Sequence, residues 1–156
     1  MTDEIKKEVI SYLSRHMYAN LATISSDNPQ QPHVSSIAYV NDGLNLYFAT
    51  GLQTEKFKNI TKNHRVALTI DEDESDWTKI TGLQIEAKAE VLSSDKIADV
   101  AGPFLEKFPF ARTLPQNSES RFIRIIPKKI WMLDYRKGFG HREYVEVNEE
   151  AFSGIR

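Results

Sequence analysis

Between residues 79 and 92 apolar side chains take alternate positions, Leu83, Ile85, Ala87, Ala89 and Val91, with polar residues between most of them. A period of two held over that length fits one long strand with a single buried face, not a helix. Partner strands are readable elsewhere. Residues 20–26 form a strand ended by the turn-forming Asp27-Asn28-Pro29, and residues 31–40 form a second. Its alternation places His33, Ser35, Ile37 and Tyr39 on one face and Val34, Ser36, Ala38 and Val40 on the other. Asn41-Asp42-Gly43 is a hairpin turn that returns the chain into residues 44–49, and residues 65–70 add a fourth strand. Residues 121–135 supply one or two more, with an interruption near Pro127.

Helical spacing occupies three places. Ile5, Val9, Ile10, Leu13 and Met17 line one side of residues 3–17, with Thr2 or Asp3 as cap. A second helix starts after Thr54 and turns Phe57 and Ile60 inward. Residues 93–108 have helical apolar spacing, and Gly102-Pro103 is expected to break them into two pieces. Antiparallel strands with few helices remove their free edges by closing, so the expected fold is α+β with a small antiparallel barrel. No repeat or linker divides the chain, and residues 1–156 are expected to form one domain.

Composition narrows the function. The 156 residues hold 20 basic and 22 acidic side chains, and a net charge of −2 offers no broad footprint for nucleic acid or anionic membrane. The absence of cysteine excludes disulfides, thiolate nucleophiles and thiolate metal sites. No apolar run has signal-peptide or membrane-spanning form, and a cytoplasmic protein is the expectation. The four histidines are scattered without an i, i+4 pair, so no metal site is expected. The acidic run at residues 71–76 is expected to be a solvated loop. Gly-x-Ser-x-Gly, P-loop and Rossmann signatures are absent.

What remains is residues 47–60, an apolar strand that passes through a Thr/Gly loop into a helix. Helix starts present unpaired N–H groups and partial positive charge, which suits an anion such as phosphate. Thr54 is a natural N-cap and Lys56 adds a full charge. The same residues also suit an ordinary cap and a solvated lysine. His33 and Ser35 lie on the strand just before it.

Four segments in order, Leu21-Ala22-Thr23-Ile24, Gln31-Pro32-His33-Val34-Ser35-Ser36, residues 41–50 and Thr54-x-Lys56-x-x-x-Ile60, resemble the pyridoxamine 5'-phosphate oxidase-like family of FMN-binding split barrels. Residues 80–85, 107–112 and 134–140 look like a bacterial branch of it. The resemblance implies a six-stranded split barrel with flanking helices, and a homodimer holding FMN at the subunit interface. By the same resemblance Thr50, Thr54 and Lys56 would hold the phosphate, and His33, Val34 and Ser35 would edge the isoalloxazine. Gln84 and Trp131, with Trp77 and His141, would reach the cofactor or a small-molecule substrate or electron donor from the partner chain. For Trp77 and Trp131, burial in the core or the dimer interface is the competing expectation. The family's C-terminal arginine-containing substrate segment has no match here, so oxidation of pyridoxamine 5'-phosphate is not expected. No side chain is assigned as catalyst. Alternatives are a haem-handling protein, with His141 beside Gly138-Phe139-Gly140 as ligand, a flavin-binding stress protein without turnover, and use of a deazaflavin.

Overall fold

The computed structural model describes residues 3–114 and 119–148; the candidate cap Thr2 and part of the loop expected at 113–120 lie outside them. The chain runs α1 (Asp3–Arg15), β1 (Tyr18–Ile24), β2 (Pro32–Ala38), β3 (Val40–Asp42), β4 (Asn45–Gly51), α2 (Glu55–Lys62) and β5 (Arg65–Asp71). It continues through β6 (Thr81–Val91), α3 (Ile97–Lys107), β7 (Ser120–Asp134) and β8 (Arg142–Glu146). All strand pairings are antiparallel in one eight-stranded sheet of order β2-β1-β5-β6-β7-β4-β3, with β8 added beside β7.

The two ends of that order, β2 and β3, are joined by a single residue, Tyr39. The sheet therefore has to curl until its edges meet, giving the expected α+β split barrel. Leu21, Ile37, Leu46, Phe48, Leu68, Leu83, Ile85 and Ile125 fill its interior, each 5% exposed or less. Strand β4 is buried on both faces: Leu46 and Phe48 join the interior, while Tyr47 packs with Val40, Leu92, Val100 and Phe108 beneath α3. The β3–β4 hairpin closes through Gly43 at φ 59°, a backbone angle that glycine adopts without strain.

Four expectations are corrected. Residues 31–40 form two strands, because the chain turns the barrel corner at Tyr39. The expected 121–135 segment is one uninterrupted 15-residue strand, Ser120–Asp134: Pro127 sits at a bulge opposite Glu86 and Ala87, where its missing N–H is tolerated. Pro103 does not break the third helix, which runs through it from Ile97 to Lys107. Gly102 and Pro103 are on its exposed side with open space beside Gly102, so the ring costs one donor without a clash against the barrel. Finally the sheet has eight strands rather than six, because the short β3 and β8 extend it.

Helix α1 lies against the barrel through Ile5, Val9, Tyr12 and Leu13. Polar contacts hold it there. Tyr39 Oη donates to Leu13 O at 2.7 Å, and Tyr12 Oη meets Thr81 Oγ1 at 3.2 Å. Lys107 of α3 donates to His16 O at 2.5 Å and lies 4.2 Å from the centre of the Tyr39 ring. Partial burial lowers the pKa of its ammonium group to about 8. Tyr39 thus joins α1, the corner and α3. Tyr39→Phe, which deletes only the corner's hydroxyl, should cost about 1 kcal/mol and lower Tm by roughly 2–4 °C in thermal denaturation.

Candidate functional site

The sequence-nominated residues fall into three groups. The first surrounds the start of α2. Buried Thr50 ends the inward row of β4, and Thr54 caps α2 in extended conformation at φ −76°, ψ 151°. The two hydroxyls are 2.8 Å apart; Thr54 Oγ1 also donates to Gly51 O at 2.9 Å and accepts from Phe57 N at 3.3 Å. One proton assignment satisfies them all, with Thr50 donating to Thr54 and Thr54 to Gly51. Both hydroxyls are consequently spent on shaping the loop. The groups left for an incoming anion are the N–H groups of Glu55 and Lys56 in the first turn and the half-buried Lys56 side chain.

The second group lies on β2. His33 pairs across from Thr23 and Ser35 from Leu21, so both side chains share the inward face of the barrel. His33 Nδ1 and Ser35 Oγ are buried without a hydrogen-bond partner. Leaving such groups unpaired costs about 1–3 kcal/mol each, so these two atoms call for a water or a ligand. Asn59 ties this wall to the same helix: its Nδ2 donates to Thr23 Oγ1 at 2.9 Å and its Oδ1 accepts from Ser26 N at 2.8 Å. Asn59 is 1% exposed, and no motif in the sequence marked it.

The third group is on the opposite side of the sheet. Val34, Gln84 and Trp131 line a cleft of about 390 Å³ together with Asn20, Ala67 and Arg142. Cross-strand pairing puts them there, since Thr69 faces both Asn20 and Gln84, and Gln84 faces Trp131. Val34 is 65% exposed although apolar. Arg142 Nη2 donates to Gln84 Oε1 at 3.1 Å, and its guanidinium lies 5.9 Å from the Trp131 ring, which packs against Tyr144 at 5.3 Å. Arg142 is the most conspicuous residue that sequence reasoning missed. The alternation of residues 142–147, with Val145 and Val147 inward, was the signal that could have found it.

None of Thr50, Thr54, Lys56, His33 and Ser35 lines this cleft. Trp77 does not line it either; at 68% exposure it is not in the core, which corrects one of the two expectations for it. His141 lies in the β7–β8 connection with its Nε2 3.1 Å from Glu143 Oε1. In the acidic run Glu72 bonds His16 at 2.8 Å; Asp76 accepts from the hydroxyl and the N–H of Thr78, which lowers the pKa of the Asp76 carboxyl. Among the described residues no group of three His, Cys, Asp or Glu is placed to hold a metal, and no helix is long and apolar enough to cross a membrane.

Comparison with known proteins agrees with this architecture. Residues 5–134 match the family described as pyridoxamine 5'-phosphate oxidase. General stress protein 26 of Bacillus subtilis (strain 168) is 26% identical over 96 residues, covering 62% of this chain and 66% of that protein, just under two thirds of its length. Among solved structures, a heme binding protein from Mycobacterium smegmatis superposes with a TM-score of 0.78 at 17% identity, over 97% of this chain and 60% of the other. A conserved hypothetical protein from Mycobacterium tuberculosis superposes with a TM-score of 0.74 at 22% identity, over 97% and 95%. The match over residues 5–134, on a curled antiparallel sheet of the same form, makes this chain a member of the pyridoxamine 5'-phosphate oxidase family.

Proposed function

We infer that the protein is an FMN-binding flavoprotein and an oxidoreductase acting on a small molecule, with a substrate other than pyridoxamine 5'-phosphate. The observation that carries this reading is the start of α2. Thr50 and Thr54 are satisfied by each other, by Gly51 and by the Phe57 N–H, so the N–H groups of Glu55 and Lys56 and the Lys56 ammonium remain for a phosphate. The orphaned His33 Nδ1 and Ser35 Oγ fit a polar ligand edge, and the cleft of Val34, Gln84 and Trp131 fits a flat apolar ring with a hydrogen-bonding rim. Bound FMN would supply the electron or hydride transfer. The chain's own residues hold the phosphate, exclude water from the ring and orient its polar edge.

The separation of the two halves supports a homodimer. Within one chain the helix start and the outer cleft do not form a continuous lining, whereas a second copy supplies its cleft to the first copy's helix. The exposed Val34 and Tyr144 suit such a covered face. A haem-handling protein is the alternative, with His141 ligating iron through Nδ1 while its Nε2 keeps Glu143.

The visible spectrum of the purified protein, with mass identification of any released chromophore, is the direct test. Flavin bands are expected; a Soret band, a deazaflavin or a protein that does not take up added FMN would overturn the assignment. Lys56→Ala should weaken FMN binding by about 1.5–3 kcal/mol with little change in Tm, measured by fluorescence titration. Thr54→Ala should act differently, lowering stability by about 1 kcal/mol through loss of the cap as well as weakening FMN. Unchanged affinity in Lys56→Ala would leave that lysine merely solvated.

A further inference from the structure

A second cleft, of about 490 Å³, opens at the other end of α2. Its lining includes Lys62 from the last turn of that helix, His64, Arg65 from the start of β5, Lys88 from β6 and Lys128 from β7. No carboxylate lines it. This is unusual placement for a chain of net charge −2.

The acids on either side of Lys88 along β6 are paired with other cations: Glu86 with Lys129 at 3.9 Å, and Glu90 with Arg124. None of the cleft's own cations takes part in an ion pair among the described residues. Lys62 Nζ donates to Ser26 O at 2.6 Å, and its position near the helix C-terminus also complements the helix dipole. That accounts for Lys62 alone.

Arg65 and Lys88 are direct cross-strand partners, which sets their Cβ atoms about 5 Å apart, and like charges so placed oppose folding. Lys128 is the extra residue of the β7 bulge, left without a partner on β6 while its carbonyl accepts from Val147 N at 2.9 Å. Bulges re-aim side chains, and this one brings a third cation to the Arg65–Lys88 pair. The fold thus holds positive charge together at some cost to its own stability, with no ion pair to these cations among the described residues.

We propose that this cleft is a binding site for a short oligoanion of the polyphosphate class, separate from the flavin site. Several cations around one cleft exceed what a single orthophosphate needs. No Phe, Tyr or Trp lines the cleft to stack a base, so recognition is mainly by charge and spacing. A nucleic-acid strand is disfavoured because β5 runs from Arg65 directly to Asp71 and the acidic residues beyond it, which would repel a continuing backbone.

The test is isothermal titration of the full chain with sodium tripolyphosphate at low and at physiological ionic strength, with orthophosphate as comparison. Saturable one-site binding that weakens with salt and exceeds that of orthophosphate is expected. Arg65→Gln/Lys88→Gln should weaken tripolyphosphate by about tenfold or more, and Lys128→Gln should weaken it measurably alone. Because the double variant removes a repulsive pair, its Tm without ligand should hold or rise, which separates lost binding from lost folding. Its FMN affinity should not change. Absence of saturable binding, or undiminished affinity in the double variant, would overturn the proposal. So would competition between tripolyphosphate and FMN with a matching loss of FMN affinity, since the cluster would then be the phosphate end of the flavin site. Failure of the chain to bind FMN at all leaves this titration intact as a test.

Discussion

Burial of β4 on both faces is the constraint on which the rest of the architecture depends. Leu46 and Phe48 can be covered only if the sheet closes over them, and Tyr47 only if α3 folds down on the other side. The strand therefore belongs to two apolar clusters at once, and it delivers Thr50 and α2 to a defined place at the end of the barrel. The single-residue corner at Tyr39 serves the same closure, since it leaves β2 and β3 no freedom to lie flat. Apolar burial on this scale outweighs the local preferences of individual residues.

The start of α2 shows how a polar site can be assembled without active side chains. The threonine hydroxyls hold the loop, and the N–H groups of Glu55 and Lys56 that the cap does not use are left for the anion. A pre-shaped loop loses little conformational freedom on binding. The same helix carries Asn59, which braces the wall bearing His33 and Ser35, and ends at the basic cleft. One element of eight residues thus touches three chemically distinct surfaces.

The outer face of the sheet is graded along β5. Arg65 and Lys88 mark one end, Ala67 and Thr69 join the apolar cleft in the middle, and Asp71 opens the acidic run at the other. Alternation along a strand fixes which residues share this face, while curvature and the Pro127 bulge decide how closely they approach. Arg142 reaches Gln84 only because β8 adds to the edge of β7.

Local chemistry was sufficient to determine several elements from the amino-acid order alone. The period-two run within Thr81–Val91, the Gly43 hairpin, the capped start at Thr54 and the opposite facing of His33 and Val34 depend on neighbouring residues only, so they were legible there. Tertiary structure decided the remainder. A helix crossed Pro103, whose ring lies on the solvent side clear of the barrel, and residues 31–40 divided at Tyr39 because the barrel turns there. Whether Trp77 or Trp131 would be covered depended on which elements arrived beside each, as did the gathering of Val34, Gln84, Trp131 and Arg142 from four strands. Contacts across such sequence separations follow from closure of the whole sheet, and no local pattern encodes them.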